Sequence, residues 1–285
     1  MSEQHIVICG LGYAGTSVAR AALDAGWRVS ATSRDPGGIT APVGVALVGF
    51  DAAGPVLAQA SHVLATAPPG TSGDPVLAAH RRVLAESRML RWAGYLSTTG
   101  VYGDRDGAWV DETTPVAPTA ARAARRVVAE LAWSALADRL SVDLFRVAGI
   151  YGPGRSVLDD LRAGTARRID KPGHAFGRIH RDDIAGAVMA ATQQQRSGGV
   201  RVLNLADDEP AESAAVIAEA ARLIGVPVPA LVAYDEALPR MSEMARSFWA
   251  ENRKVSGRIT QELLGYRWRY PSYREGLRAI VAEEA

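Results

Sequence analysis

The first half of the chain alternates short, unbroken apolar runs with longer stretches whose apolar residues recur at helical spacing. Such runs, bounded by Gly and Pro, fit strands of a parallel sheet covered by helices. "HIVICG" reads as a buried strand ending in glycine, and "TSVARAALDAG" as a helix closed by Gly26. "WRVSATS", "VALVGF" and "HVLATA" read as the second, third and fourth strands. The breaker cluster "PPGTSGDP" follows, then a helix over "VLAAHRRVLAESRML" and a fifth strand, "AGYLST". After the loop "TGVYGDRDGAWVDETTPVAP" come a helix in "PTAARAARRVVAE" and a sixth strand, "SVDLFRVAGI". "RVLNLADDEP" reads as one more strand entering a turn, and the chain from Ala211 as helices with Pro-containing connections.

This order predicts an α/β fold, a Rossmann-type doubly wound parallel sheet with a smaller C-terminal substrate lobe. Residues 1–150 and 176–206 are assigned to the dinucleotide-binding domain, and residues 151–175 and 207–285 to the substrate-binding lobe. One helix has an unusual surface. Arg122 and Arg126 lie four residues apart on one face, with Arg125 beside them. Like charges at that spacing cost a helix about 0.2–0.5 kcal/mol, so the face is either simply solvated or kept for an anion.

Composition narrows the function classes. The 285 residues are 48% hydrophobic and 22% charged, the profile of a globular protein with a sizeable core. With 32 basic against 31 acidic residues the net charge is +1, which gives no electrostatic reason to expect nucleic acid or an anionic membrane as partner. A small-molecule substrate is expected instead, on a monomer or homodimer. Cys9 is the only cysteine, so no internal disulfide can form. The N-terminus lacks the basic start and apolar core of a signal peptide, and no apolar run reaches the roughly 18 residues of a membrane span. A cytoplasmic location is expected.

"GLGYAG" places Gly10, Gly12 and Gly15 in a G-x-G-x-x-G pattern between the first strand and the first helix. Gly10 would permit the tight turn, Gly12 the approach of backbone to a pyrophosphate, and Gly15 close helix–strand packing. Tyr13 and Ala14 within the turn, and Thr66, Ala67 and Pro68 at the end of the fourth strand, complete the expected cofactor-binding set. After the second strand stands "ATSRDP", where an NAD site usually offers an acid to the adenosine ribose. Ser33 and Arg34 suit a 2′-phosphate better, which favours NADP, with NAD kept open by the neighbouring Asp35. Asp51, after the third strand, is placed either to meet the adenine amino group or to cap a turn.

Several further stretches resemble one family. "GYLSTTGVYGD", "FRVAGIYGPGR", "RIHRDDIAGAV" and "LNLADDEP" are similar, in order, to segments of the extended short-chain dehydrogenases/reductases. The tail "RSFWAENRKVSGRITQELLGYRWRYPSYREGL" resembles that of an atypical, NAD-dependent epimerase/dehydratase-like branch. The resemblance implies an NADP-dependent oxidoreductase or epimerase/dehydratase-like enzyme. In that superfamily a Tyr and, four residues on, a Lys follow the VYG loop, and a Glu follows the Lys by four. Counting back from Glu130 puts Arg126 at the lysine position and Arg122 at the tyrosine position; Thr98 takes the place of the Ser/Thr that bonds the substrate oxygen.

Arginine stays protonated, so Arg122 cannot shuttle a proton but can stabilise negative charge, while Arg126 can hold the nicotinamide ribose. Tyr102 of VYG is a further catalytic candidate, or packs the loop. Tyr151 and His180 are candidate substitute proton carriers. Asp183 is expected to cap its helix. Arg155, Arg162, Arg167, Arg168, Lys171 and Arg178 either greet an anionic substrate or are solvated surface charges. No metal spacing occurs. The alternative to an enzyme is an NAD(P)-binding sensor without turnover, which loss of the Tyr/Lys pair favours directly.

Overall fold

The computed structural model describes residues 4–194 and 196–284. Seven strands form one parallel sheet: β1 (His5–Cys9), β2 (Arg28–Ser33), β3 (Val45–Gly49), β4 (His62–Ala65), β5 (Trp92–Thr98), β6 (Ser141–Val147) and β7 (Gly199–Leu205). Their order is β7-β6-β5-β4-β1-β2-β3, so the doubly wound Rossmann arrangement is present.

Side-chain alternation along β1 divides the core between the two faces. Ile6 and Ile8 point to one face, where Val18, Ala19 and Ala22 of the helix Tyr13–Asp24 and Ile184 and Val188 of the helix Arg181–Gln193 pack on them. Val7 and Cys9 point to the other, against Val76 and Leu84 of the helix Pro75–Glu86 and Trp133 of the helix Ala121–Ser134. Burial pushes the Cys9 thiol up to about 12, so it behaves as a small apolar filler. A further cluster, built on Tyr151, Leu158, Val216, Tyr273 and Leu277, joins the C-terminal helices beyond the sheet edge.

Three sequence expectations differ from the structure, each for a local reason. The helix after the breaker cluster stops at Glu86 rather than near Leu90. Ser87 turns extended, donates its hydroxyl to Ala58 O and accepts the amides of Met89 and Leu90. The sixth strand ends at Val147; Gly149–Tyr151 leaves the sheet and pairs with Arg178–His180. The C-terminal part also contains strands: Leu231–Ala233 pairs with Arg168–Asp170, and Lys254–Val255 pairs with Trp109–Val110, tying the tail to the VYG loop.

Candidate functional site

The strand order reverses between β1 and β4, and the crevice outside their carboxyl ends is where doubly wound sheets hold ligands. The glycine turn borders it. Gly10 has φ +110°, a region that favours glycine. A Cβ there would stand 2.7 Å from Thr66 Oγ1, whose hydroxyl donates to Gly10 O at 2.5 Å and pins the turn. A Cβ on Gly15 would lie 2.6 Å from Gly10 O and 3.3 Å from Ile8 Cγ2, so glycine is needed for the helix to approach the strand. Gly12 differs: nothing lies within 4 Å of where its Cβ would be. It is also the N-cap of the helix, with no side chain capping the first turn. Bare backbone and unpaired first-turn amides suit a diphosphate.

Ala14 is buried behind this turn. Tyr13 bridges to the YGPG loop: its hydroxyl donates to Pro153 O at 3.0 Å, and the guanidiniums of Arg181 and Arg155 lie 5.3 and 5.5 Å from its ring centre. Ala67 and the exposed Pro68 continue the lip after β4. At the end of β2, Ser33 exchanges hydrogen bonds with Asp35 N and O. The Asp35 carboxylate accepts Gly38 N–H at 3.1 Å, so it is turned onto its own loop while Arg34 is exposed. Asp51 is exposed after β3.

A cavity of about 970 Å³ opens beyond Pro68, between the sheet and the C-terminal segments. Thr98, Arg122 and Arg126 all line it. Thr98 Oγ1 accepts Gly100 N–H at 3.1 Å, which leaves its own proton to donate. Arg126 reaches inward: Nη1 donates to Leu96 O at 2.7 Å and to the Tyr95 hydroxyl at 3.1 Å. Arg122 lies over the Phe248 ring at 4.3 Å, so the aromatic tail segment forms its floor. Arg125, Arg155, Arg178 and Arg253 bring the lining arginines to six, against the carboxylates of Asp159, Asp160 and Glu251.

Other expected residues lie elsewhere. Tyr102 is fully buried and outside the cavity lining; its hydroxyl donates to Asn204 Oδ1 at 2.8 Å. Tyr151 lines the cavity, but its hydroxyl packs where a Gly276 Cβ would be, 2.0 Å away, and donates to Ser272 O at 3.4 Å. Burial raises its pKa far above the ordinary phenol value. His180 is fully buried, accepts Asp182 N–H and is pushed down to about 4 by desolvation. Neither is therefore presented to the cavity as a proton carrier. Asp183 does not cap its helix; it accepts the amides of Arg269 and Tyr270 and the Tyr266 hydroxyl, fastening the C-terminal segment. Arg162 pairs with Glu284, and Lys171 Nζ donates to Trp249 O. Arg167 and Arg168 line a separate cavity of about 330 Å³. Phe176, Phe248, Trp249 and Arg253, which line the main cavity, escape sequence reasoning; the aromatic pair within "RSFWAENR" is the one signal that pointed there. Among the described residues no cluster of His, Cys, Asp and Glu is arranged to hold a metal ion, and no helix is long and apolar enough to cross a membrane.

No protein-family profile matches the chain. A functionally unknown conserved protein from Silicibacter pomeroyi is 44% identical over 99% of both chains, with a TM-score of 0.90. Human epimerase family protein SDR39U1, solved with NADPH, is 20% identical over 98% of this chain and 99% of that one, with a TM-score of 0.75. MoeE5, solved with UDP-glucuronic acid and NAD, is 19% identical over 99% of this chain and all of that one, with a TM-score of 0.74. Among curated proteins, a Streptomyces 3-diazoavenalumate denitrifying reductase is 29% identical over 59% of this chain and 58% of that protein. Protein YeeZ of Escherichia coli K12 is 34% identical over 47% of each. The chain thus spans about half the length of the curated relatives it matches.

Proposed function

The chain belongs to one family with the Silicibacter pomeroyi protein and has the fold of the atypical, epimerase/dehydratase-like extended short-chain dehydrogenases/reductases, and on that premise we propose that it is an NADP-dependent oxidoreductase or epimerase/dehydratase-like enzyme acting on a small polar, anionic substrate. The observation that carries this reading is the convergence of Thr98, Arg122 and Arg126 on one cavity with Pro68 of the cofactor lip. Gly10, Gly12 and Gly15 would hold the diphosphate, and Ser33 and Arg34 the 2′-phosphate. Asp35 accepts Gly38 N–H but keeps its charge, so NAD stays open as the alternative cofactor. Asp51 would meet the adenine.

A bound nicotinamide supplies or accepts hydride. The protein's part is to orient and to stabilise charge. Thr98 Oγ1, with its acceptor side taken by Gly100, donates to the substrate oxygen. Arg122 offers a permanent cation to an oxyanion, with its guanidinium 4.3 Å from the centre of the Phe248 ring. Arg126, steadied by Leu96 and Tyr95, holds the place that the lysine takes in the superfamily and supports the nicotinamide ribose. Since neither Tyr151 nor His180 presents a proton donor to the cavity, the substrate or water supplies the proton. The single buried cysteine suits a reducing, cytoplasmic setting.

A sensor without turnover is the second reading, favoured by the two arginines at the tyrosine and lysine positions and by the averted Tyr151 hydroxyl. Fluorescence titration with NADPH and NADH tests the shared premise: NADPH binds more tightly, and binding of neither sinks both readings. A screen of carbonyl and imine substrates then separates them. Turnover that drops about 10²-fold in Thr98→Ala and in Arg122→Ala supports the enzyme; turnover indifferent to both changes refutes the assigned site.

A further inference from the structure

Of the six cavity arginines, only Arg253 has a carboxylate partner among the described residues, Glu251 at 2.7 Å. Arg178 is half-buried, and desolvation pulls its pKa below the ordinary guanidinium value. It is held from one side: Nη1 donates to Phe176 O at 2.8 Å and to Ala211 O at 3.0 Å. Those bonds fix the guanidinium but neutralise none of its charge. A half-buried cation that lines an open cavity without a carboxylate in ion-pair contact can take an anion from that cavity.

The wall beside it is aromatic. Phe176 lies 6.0 Å from the Arg178 guanidinium and meets Trp249 edge-on, with ring centres 5.0 Å apart. Phe248 adds a third ring to the cavity lining. An arginine next to aromatic faces matches a flat ring carrying a carboxylate better than it matches a sugar hydroxyl.

Behind Arg178 lies Asp207, whose amide donates to Arg178 O at 2.7 Å. The residue is 1% exposed, and the Glu209 amide is the one donor that acts on its carboxyl among the described residues. It makes no ion-pair contact with Arg178, although that cation is the charge that most favours its ionised form. Burial pushes Asp207 up to about 8, helped by Asp208 and Glu209 on its own segment. Tyr151 of the neighbouring strand and Tyr273 of the last helix act electrostatically on Arg178, and Asp183 and Glu275 act with Asp207 on Tyr151.

We propose that Arg178 anchors the carboxylate of an aromatic acid in this cavity, and that Asp207 takes up a proton when that carboxylate binds. The proposal rests on the reading of the cavity as a substrate site and names its substrate class. Arg178 is the cation that favours the ionised form of Asp207, so a carboxylate bound to Arg178 offsets that help and favours the neutral form of the buried acid. No bond is made or broken apart from the proton drawn from solvent.

The test uses the NADPH-loaded protein with 2-naphthoate and its neutral counterpart 2-naphthamide, measured by calorimetry. The naphthoate binds at least about 10-fold more tightly than the amide, and Arg178→Gln or Arg178→Met abolishes that preference while NADPH binding is retained. Between about pH 7 and about pH 9.5 the wild-type affinity for naphthoate falls by roughly 5- to 10-fold, and near pH 8 its enthalpy varies with buffer as proton uptake requires. Asp207→Asn removes both effects. Equal binding of acid and amide, binding of neither, or a preference that survives both Arg178 variants overturns the anchor. A pH-flat wild-type affinity overturns the role of Asp207. Loss of NADPH binding by the wild type would instead strike the proposed function itself.

Discussion

Arg146 grips Glu130 through two hydrogen bonds, Nε to Oε1 at 3.2 Å and Nη2 to Oε2 at 2.8 Å, with both side chains buried. Ser97 donates to the same carboxylate at 2.6 Å, and the Tyr102 ring lies 4.9 Å from the Arg146 guanidinium. This cluster pins the helix Ala121–Ser134 to the end of the sheet. Glu130, Arg126 and Arg122 succeed one another at four-residue intervals, so one face carries a buried anchor, an inward-turned arginine and a cavity arginine.

Removing Glu130 leaves Arg146 buried and unpaired, and such changes cost about 3–5 kcal/mol. Glu130→Ala is expected to lower unfolding stability in urea by that amount. The double change Glu130→Leu with Arg146→Met removes both charges and should recover most of the loss. A single variant as stable as the wild type would show that the pair does not anchor the helix.

The glycine turn separates folding from binding within three residues. Gly15→Ala places a methyl 2.6 Å from Gly10 O and is expected to destabilise the fold by about 1–3 kcal/mol. Gly12→Ala meets open space, so its melting temperature should stay near that of the wild type while NADPH affinity drops by at least about 10-fold. Thermal unfolding and NADPH titration of the same two proteins check both halves. Unchanged NADPH binding in Gly12→Ala would remove the turn from the phosphate site.

Arg34 is the exposed cation at the end of β2, and the nearest acid, Asp35, is held by Gly38 N–H. A charge-assisted contact to a 2′-phosphate is worth about 1.5–3 kcal/mol. Arg34→Ala should therefore weaken NADPH by about 10- to 100-fold and leave NADH nearly unaffected. Equal losses for both cofactors would count against the 2′-phosphate assignment.

The strands and the glycine turn were legible because buried parallel strands write continuous apolar runs and because Gly10 and Gly15 answer local backbone demands. The two arginines became legible only through the register set by Glu130, whose burial by Arg146 no periodicity reveals, and Thr98 only through its spacing from Val101. The aromatic wall was not legible in the same way. Phe176 and Trp249 meet through a fold that brings residues 73 positions apart together, and each alone reads as ordinary core. The averted Tyr151 hydroxyl likewise depends on Gly276 in the last helix, a contact without a local signature.

His62 gives the fold a predictable acid limit. Its ring is buried between Trp27 and Trp92, with centroids at 4.7 and 6.0 Å, and is within 2.9 Å of Ser61 Oγ through Nδ1. Desolvation, aided by Arg91, pushes its pKa down to about 4. The unfolded chain therefore binds the proton first, and stability present above about pH 6.5 is lost as pH falls toward about 4, by up to about 1.4 kcal/mol per pH unit for this one group. His180, also pushed down to about 4, adds in the same direction. Asp207, raised to about 8, acts oppositely: its contribution is present at low pH and is lost as pH rises toward about 8. His62→Phe keeps the aromatic packing without the proton. Urea unfolding at several pH values should show a shallower acid slope for this variant, and an unchanged slope would show that His62 is not a determinant of acid stability.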